Sequence, residues 1–86
     1  MRLKLLNIMT GISAKSGKRY MRITVRGKRT DRGSNIADFW LTEEVANQLI
    51  RDGIEIDDYV SIEMSLDEET LKSYVSCVEL VEKGVN

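Results

Sequence analysis

The chain of 86 residues contains no histidine and only one cysteine, Cys77. Histidine is the commonest metal ligand and general base in proteins, and a single cysteine cannot form an internal disulfide bond. Cys77 lies in an apolar segment, so we expect a buried thiol that acts as a small hydrophobic group. The three neighbouring carboxylates of Asp67–Glu69 belong to a polar turn and are expected to be solvated. With no phosphate-cradling glycine motif either, the sequence predicts no catalytic site, no metal site and no cofactor.

Long apolar segments, prolines and internal repeats are also missing. The longest uninterrupted apolar run is three residues, Phe39–Leu41, whereas a membrane-spanning helix needs about 20. The apolar stretch after Met1 is broken by Asn7 and Thr10, which is not typical of a signal peptide. We therefore expect one compact cytoplasmic domain, residues 1–86, with a modest core and a loose end at residues 84–86.

Charge is divided unevenly along the chain, although the net charge is only −1. Residues 1–32 carry ten basic residues and one acidic residue, a net charge of +9, whereas residues 33–86 carry three basic and thirteen acidic residues, a net charge of −10. A polyanion responds to the local potential of a groove more than to net charge. The first third is therefore the candidate surface for a nucleic acid. Alternatively, its cations are merely solvated and neutralise the acidic part of the same domain.

Alternation of apolar and polar residues predicts five β-strands, and a 3.6-residue period predicts one helix. The most regular strand covers residues 20–26 and has two distinct faces, Met21, Ile23 and Val25 on one and Tyr20, Arg22, Thr24 and Arg26 on the other. The predicted strands are residues 1–10, 20–26, 36–41, 59–66 and 71–81, with polar loops at 11–18 and 28–35. The predicted helix covers roughly residues 42–52, capped by Thr42 and ended by Gly53.

The element order β-β-β-α-β-β places the helix between the third and fourth strands, as in an oligonucleotide-binding (OB) fold. That fold is a five-stranded Greek-key barrel that binds its ligands on strands two and three. The fold class expected is all-β with one short helix, because a small barrel buries alternate residues and removes most sheet edges.

The segment Gly11–Tyr20 resembles the first hairpin of small phage single-stranded DNA-binding proteins, including those of filamentous phages. In that hairpin a glycine and small polar residues precede a lysine, a glycine and an aromatic residue that opens the second strand. The resemblance covers about ten residues and the overall length. It implies an OB-fold, sequence-tolerant and cooperative binding of single strands, a homodimer, and a role in phage or mobile-element DNA replication. It also implies that Lys15, Lys18 and Arg19 lie near phosphate and that Tyr20 lies near a base.

A positive groove and aromatic faces for base stacking are what single strands need. The predicted nucleic-acid-binding residues supply both: Lys15, Lys18, Arg19, Tyr20, Arg22, Arg26, Lys28, Arg29, Arg32 and Trp40. Trp40 is either part of this stacking surface or a core residue, and Phe39 is expected in the core. Tyr74 could extend the stacking surface, but it shares its phase with Val78 and Leu80, which favours burial.

Two other functions remain open at this point. One is a small protein-interaction barrel whose acidic half binds a basic partner. The other is an RNA-binding OB domain, because stacking and phosphate contacts serve both nucleic acids and recognition of the 2′-hydroxyl leaves no short motif.

Overall fold

The computed structural model describes residues 1–30 and 33–84. Its elements are β1 (Leu3–Ile12), β2 (Arg19–Thr30), β3 (Gly33–Leu41), α1 (Glu43–Arg51), β4 (Tyr59–Leu66) and β5 (Ser73–Glu82). The predicted order of elements is confirmed, and the protein is mostly β with one short helix. In the described part of the chain, no helix is long and apolar enough to cross a membrane.

The five strands form one antiparallel sheet in the order β3-β2-β1-β4-β5. β1 pairs with β2 from Lys4 to Ile12, and its first residues also pair with the start of β4. The edge strands β3 and β5 approach each other, but no ladder joins them within residues 1–30 and 33–84. The predicted strands and their antiparallel pairing are thus present, whereas the sheet is not closed by hydrogen bonds.

β2 separates the inside of the molecule from its outer surface. Met21, Ile23 and Val25 are buried, and the polar residues between them are half-exposed, which confirms the predicted phase of this strand. The core gathers apolar side chains from all five strands and the helix region: Leu5, Met21, Ile23, Val25, Leu41, Val45, Leu49, Ile54, Val60, Ile62, Val75 and Val78. Phe39 is half-buried against this core, as its phase in the third strand predicts.

Helix α1 packs its apolar side on the sheet. The Thr42 hydroxyl accepts a hydrogen bond from the Val45 N–H at 3.3 Å, which satisfies one free donor of the first turn. Val45 and Leu49 are buried. The Gln48 amide donates to the Val78 carbonyl oxygen at 3.0 Å, so the helix is also fastened to β5 by a polar contact.

Several predicted strand bounds are wrong, including that of β1, which was predicted as residues 1–10 and covers Leu3–Ile12. Residues 28–30 and 33–35, predicted as a loop, continue β2 and β3 beyond a bulge at residues 27–28, because their backbone groups pair across the hairpin. At the next hairpin β5 begins at Ser73, since Leu71 has a left-handed backbone conformation (φ 59°) that suits a turn.

The predicted burial of Tyr74 is also wrong. The β4–β5 register shifts where Ser76 forms a bulge opposite residues 63 and 64. The extra residue reverses the alternation, so that Val75 and Val78 are both buried although they are three residues apart. Tyr74 consequently lies on the outside and is 43% exposed. Cys77, beside the bulge, is half-buried, so its predicted burial is only partial.

The buried carboxylate of Asp58 fastens the end of β5 to the loop before β4. It accepts hydrogen bonds from Lys83 Nζ at 2.7 Å, from the Glu55 N–H at 2.8 Å and from the Gly84 N–H at 2.8 Å. Gly84 lies so close to Asp57 that a Cβ would collide with the Asp57 carbonyl group. Gly84 is therefore held in place, contrary to the predicted loose end. Residues 85 and 86, the rest of that predicted end, lie outside the described residues.

The charge of Asp58 is maintained by its hydrogen bonds. Burial alone would raise the pKa of this carboxyl, but the hydrogen bonds from Lys83, Gly84 and Glu55 outweigh burial and hold the pKa below its ordinary value of 3.8. The hydrogen bond to Asp58 raises the pKa of Lys83 in turn. A lowered carboxyl pKa stabilises the fold fully above the ordinary value, and this stabilisation is lost as the pH falls through the lower folded value.

Replacing Asp58 by alanine should reduce the free energy of unfolding at pH 7 by about 2–4 kcal/mol, because two backbone donors and Lys83 lose their acceptor. Urea unfolding of the wild type, Asp58→Ala and the exposed control Glu68→Ala measures the difference. The control should match the wild type. The deficit of Asp58→Ala should shrink as the pH falls below 3.8. A deficit that stays constant would mean that the ionised carboxylate is not the stabilising species.

Candidate nucleic-acid interface

The outer face of β1, β2 and β3 presents its side chains in rows that cross the strands, as the two-residue period of paired strands requires. We call this surface the outer face. Its rows, read from one end to the other, are Gly11 and Tyr20; Met9, Arg22 and Trp40; Asn7, Thr24 and Asp38; and Lys4, Arg26 and Ile36.

The rings of Tyr20 and Trp40 meet at one end of the outer face. Their centroids are 5.4 Å apart and their planes are inclined at 61°, an edge-to-face arrangement. Trp40 is 59% exposed, so the structure places it on the surface and not in the core. A solvent-facing indole of this kind offers a π-face to a nucleobase.

Gly11 allows the Tyr20 ring to lie directly against β1. The two residues are cross-strand partners, and a Cβ on Gly11 would overlap the Tyr20 ring. The absence of a side chain at residue 11 therefore determines where the ring of residue 20 can lie. Sequence analysis assigned Gly11 to a loop, whereas it is a strand residue.

Arg22 provides the positive charge beside the two rings. Its Cζ lies 5.7 Å from the Trp40 ring centroid, and its Nη2 is 3.6 Å from the Met9 sulfur. Arg22 Nε is buried without a hydrogen-bond partner in the described part of the chain. The acidic residue of the next row, Asp38, accepts instead from the Thr24 hydroxyl at 2.5 Å. The guanidinium thus keeps its charge free of a carboxylate among residues 1–30 and 33–84.

The β1–β2 loop holds two predicted phosphate contacts, Lys15 and Lys18, in exposed positions. The loop is closed by hydrogen bonds from the Ser13 N–H to the Lys18 carbonyl oxygen (2.9 Å) and from the Gly17 N–H to the Ser13 carbonyl oxygen (2.8 Å). Gly17 has a φ of 68°, which favours glycine. Both lysines consequently project from a defined turn next to the Tyr20 end of the outer face.

The other predicted cations are not all gathered on this face. Arg26 belongs to the outer face, and exposed Lys28 follows it at the bulge. Arg19 pairs with Ile12 and borders a groove of about 310 Å³ between the hairpin and α1. Arg29 lies in β2, and its side chain is not described. Arg32 lies outside the described residues.

A second concavity, of about 510 Å³, lies at the opposite end of the outer face. Four cations and one aromatic residue line it, together with Gly27: Arg2, Lys4, Arg26, Lys28 and Tyr59. Arg2 and Lys4 belong to the basic third of the sequence but were not among the predicted binding residues, and neither was Tyr59. The outward alternation of Lys4 could have indicated that it belongs to the site. Tyr59 could not be found in this way, because its pairing with Lys4 joins strands that are distant in sequence.

No protein-family model, curated protein or solved structure matches this chain. Its chemistry must therefore be inferred from the site itself. In the described part of the chain, no group of three or more His, Cys, Asp or Glu side chains is placed to hold a metal ion. The outer face offers an aromatic pair, with Trp40 exposed and Tyr20 half-buried, and a series of cations. This arrangement is able to stack a base and neutralise its phosphates.

Substituting Gly11 by alanine should move the Tyr20 ring away from Trp40, because the new methyl group needs the space that the ring occupies. The ring-current shifts of the Trp40 indole protons in NMR spectra report this movement. Gly27→Ala is the matched control in β2, since a Cβ there comes no closer than 3.8 Å to its nearest neighbour. Unchanged Trp40 shifts in Gly11→Ala would show that the two rings are positioned independently of residue 11.

Proposed function

We propose that this protein binds single-stranded nucleic acid, with DNA as the first candidate, on the outer face of β1–β3 and without a preference for base sequence. The observation that carries the proposal is the contact of half-buried Tyr20 with exposed Trp40 beside Arg22, which forms no ion pair with a carboxylate among the described residues. Each base stacked on an aromatic ring contributes about 1–3 kcal/mol and requires no particular base. We further propose that the protein coats DNA strands during phage or mobile-element replication and performs no catalysis.

An OB-type barrel is the finer description of the fold that we propose. The sheet order supports it, as does the position of α1 between β3 and β4, because an OB-fold is a partly open Greek-key barrel that binds through strands two and three. Its β1–β2 and β4–β5 loops border the ligand. Here the first of these loops carries Lys15 and Lys18, whereas the second carries the carboxylates of Asp67–Glu69. Only the β1–β2 loop has the charge that attracts phosphate.

Affinity for single strands should fall steeply as salt rises. Each contacted phosphate contributes about 0.7 to the slope of log affinity against log salt for single strands, so about five contacts predict a loss on the order of 100-fold between about 50 and 200 mM salt. Fluorescence anisotropy with labelled oligo-dT, oligo-rU and duplex DNA measures this. Duplex DNA should bind more weakly because its bases are already stacked. A flat salt response, or equal affinity for duplex and single strand, would refute the proposal.

Removing the Tyr20 ring should separate binding from folding. Tyr20→Ala should weaken oligo-dT binding by about 1–3 kcal/mol and change the free energy of unfolding little, because the ring lies on the outer face. Tyr74→Ala is the control, as it removes the same kind of ring from the surface of β5, where Tyr74 is 43% exposed. Ile23→Ala should cost about 2–5 kcal/mol of stability by opening a cavity in the core. Anisotropy titration and urea unfolding of the three variants test the assignment, which fails if Tyr20→Ala and Tyr74→Ala bind alike.

A homodimer also belongs to the proposal. Its support is the β4–β5 hairpin, on which Met64, Leu66 and Leu71 are 47%, 57% and 72% exposed, an apolar surface suited to contact with a second copy. Sedimentation velocity at micromolar concentration measures the oligomeric state. A monomer that still binds oligo-dT would remove the dimer and leave the binding face intact.

A further inference from the structure

The basic pocket at the end of the outer face opposite Tyr20 is assembled from three parts of the chain. Arg2 precedes β1 and Lys4 lies in it, Arg26 and Lys28 come from β2, and Tyr59 opens β4. The register explains their meeting, because Lys4 is the partner of Arg26 on one side and of Tyr59 on the other. The fourth row of the outer face thus continues on to β4 and ends in an aromatic residue.

Two of these cations are held in place before any ligand arrives. The Arg2 guanidinium carbon lies 3.9 Å from the centroid of the Tyr59 ring, and Arg2 Nη2 pairs with Glu82 at 2.5 Å. Lys4 Nζ lies 3.8 Å from an Asp57 oxygen. Both carboxylates line an adjoining concavity that shares Arg2, Lys4 and Tyr59 with the pocket, so they offset part of the charge of these two cations. An arginine stacked on an aromatic ring loses less conformational freedom when it binds an anion, which favours binding.

The remaining two cations, Arg26 and Lys28, are not paired with an acid in the described part of the chain. The residues lining the pocket therefore comprise four cations, a tyrosine and a glycine, with no acid among them. Such a lining attracts a multiply hydrogen-bonding anion, and phosphate is the anion that a nucleic-acid strand carries.

The distance between the two ends of the outer face sets a length for the ligand. Tyr20 and Arg26 are six residues apart on β2, which corresponds to about 20 Å. At about 3.4 Å per nucleotide, a stacked single strand needs about six nucleotides to cover this distance. A shorter strand can reach only one end.

We propose that the pocket formed by Arg2, Lys4, Arg26, Lys28 and Tyr59 binds a phosphodiester group of the strand whose base stacks on Tyr20 and Trp40. The outer face then holds one strand at two points, an aromatic end and a phosphate end. This inference rests on the proposed function and adds Arg2, Lys4 and Tyr59 to the binding surface.

The test compares short and long strands in the full-length protein. The double variant Arg2→Gln/Lys4→Gln should bind dT12 about tenfold more weakly, with a salt slope shallower by about 1.4, since two phosphate contacts are lost. Its affinity for dT3, measured by NMR titration, should stay within about twofold of the wild type because the trinucleotide does not reach the pocket. The control Arg51→Gln, which removes a cation on α1 that does not line the pocket, should match the wild type with both ligands.

A second variant controls for effects of the double substitution on the neighbouring carboxylates. Arg2→Gln/Lys4→Gln also leaves Glu82 and Asp57 unpaired, whereas exposed Lys28 forms no ion pair with the described residues. Lys28→Gln should therefore weaken dT12 binding about threefold without affecting dT3. Titration with pyrophosphate distinguishes a site for the strand from a site for free phosphates, since pyrophosphate should compete only weakly with dT12.

Each outcome of these titrations either supports or overturns the assignment of the pocket to a phosphodiester group. If the wild type binds dT12 but the pocket variants bind it equally well, the pocket assignment is wrong and the proposed function stands. Equal losses on dT3 and dT12 would mean general attraction without a distinct pocket. Tight pyrophosphate binding that leaves dT12 in place would assign the pocket to a free ligand. No dT12 binding by the wild type overturns the proposed function and this inference with it.

Discussion

The backbone of Leu5 joins the two halves of the sheet, and the rest of the structure depends on this junction. Its N–H donates to the Asp58 carbonyl oxygen and its carbonyl oxygen accepts from the Asp57 N–H, each at 2.8 Å, while its side chain is fully buried. Among the described residues, β1 and β4 themselves pair at two positions, Leu3 with Val60 and Lys4 with Tyr59. This short contact places the inner face of β1–β3 and the inner face of β4–β5 over one core. The buried Asp58 carboxylate also binds Lys83 and the Gly84 N–H, which fixes the loop before β4 to the end of β5.

Local alternation was sufficient to predict the parts of the fold whose pattern matches their surroundings. The phase of β2 could be read from Met21, Ile23 and Val25, because one face of that strand is buried along its whole regular stretch. The cap at Thr42 predicted the start of α1 for a similarly local reason. The β2 part of the candidate site could be predicted in the same way, because side chains that alternate with buried ones must face outward, as Arg22 and Arg26 do.

What escaped prediction depends on strand pairing between distant parts of the chain. The bulge at Ser76 reverses the exposure of Tyr74, and a single extra residue leaves no mark on the composition of the segment. Tyr59 joins the basic end of the outer face only because β4 pairs with Lys4. The role of Gly11 is visible only once Tyr20 is known to lie opposite it. These are register effects, and register is set by contacts across the sheet.

The separation of charge along the chain becomes a separation in space, because the basic third of the sequence builds the β1–β2 hairpin and the acidic remainder builds most of α1, β4 and β5. A molecule with a net charge of −1 therefore carries an electric dipole, which the ion pairs Arg2–Glu82 and Lys4–Asp57 partly offset. In the field of a polyanion such a dipole experiences a torque that turns its basic side forward before contact, which raises the fraction of productive collisions. Orientation during approach, and not overall attraction, is thus the electrostatic advantage available to a protein that is nearly neutral as a whole.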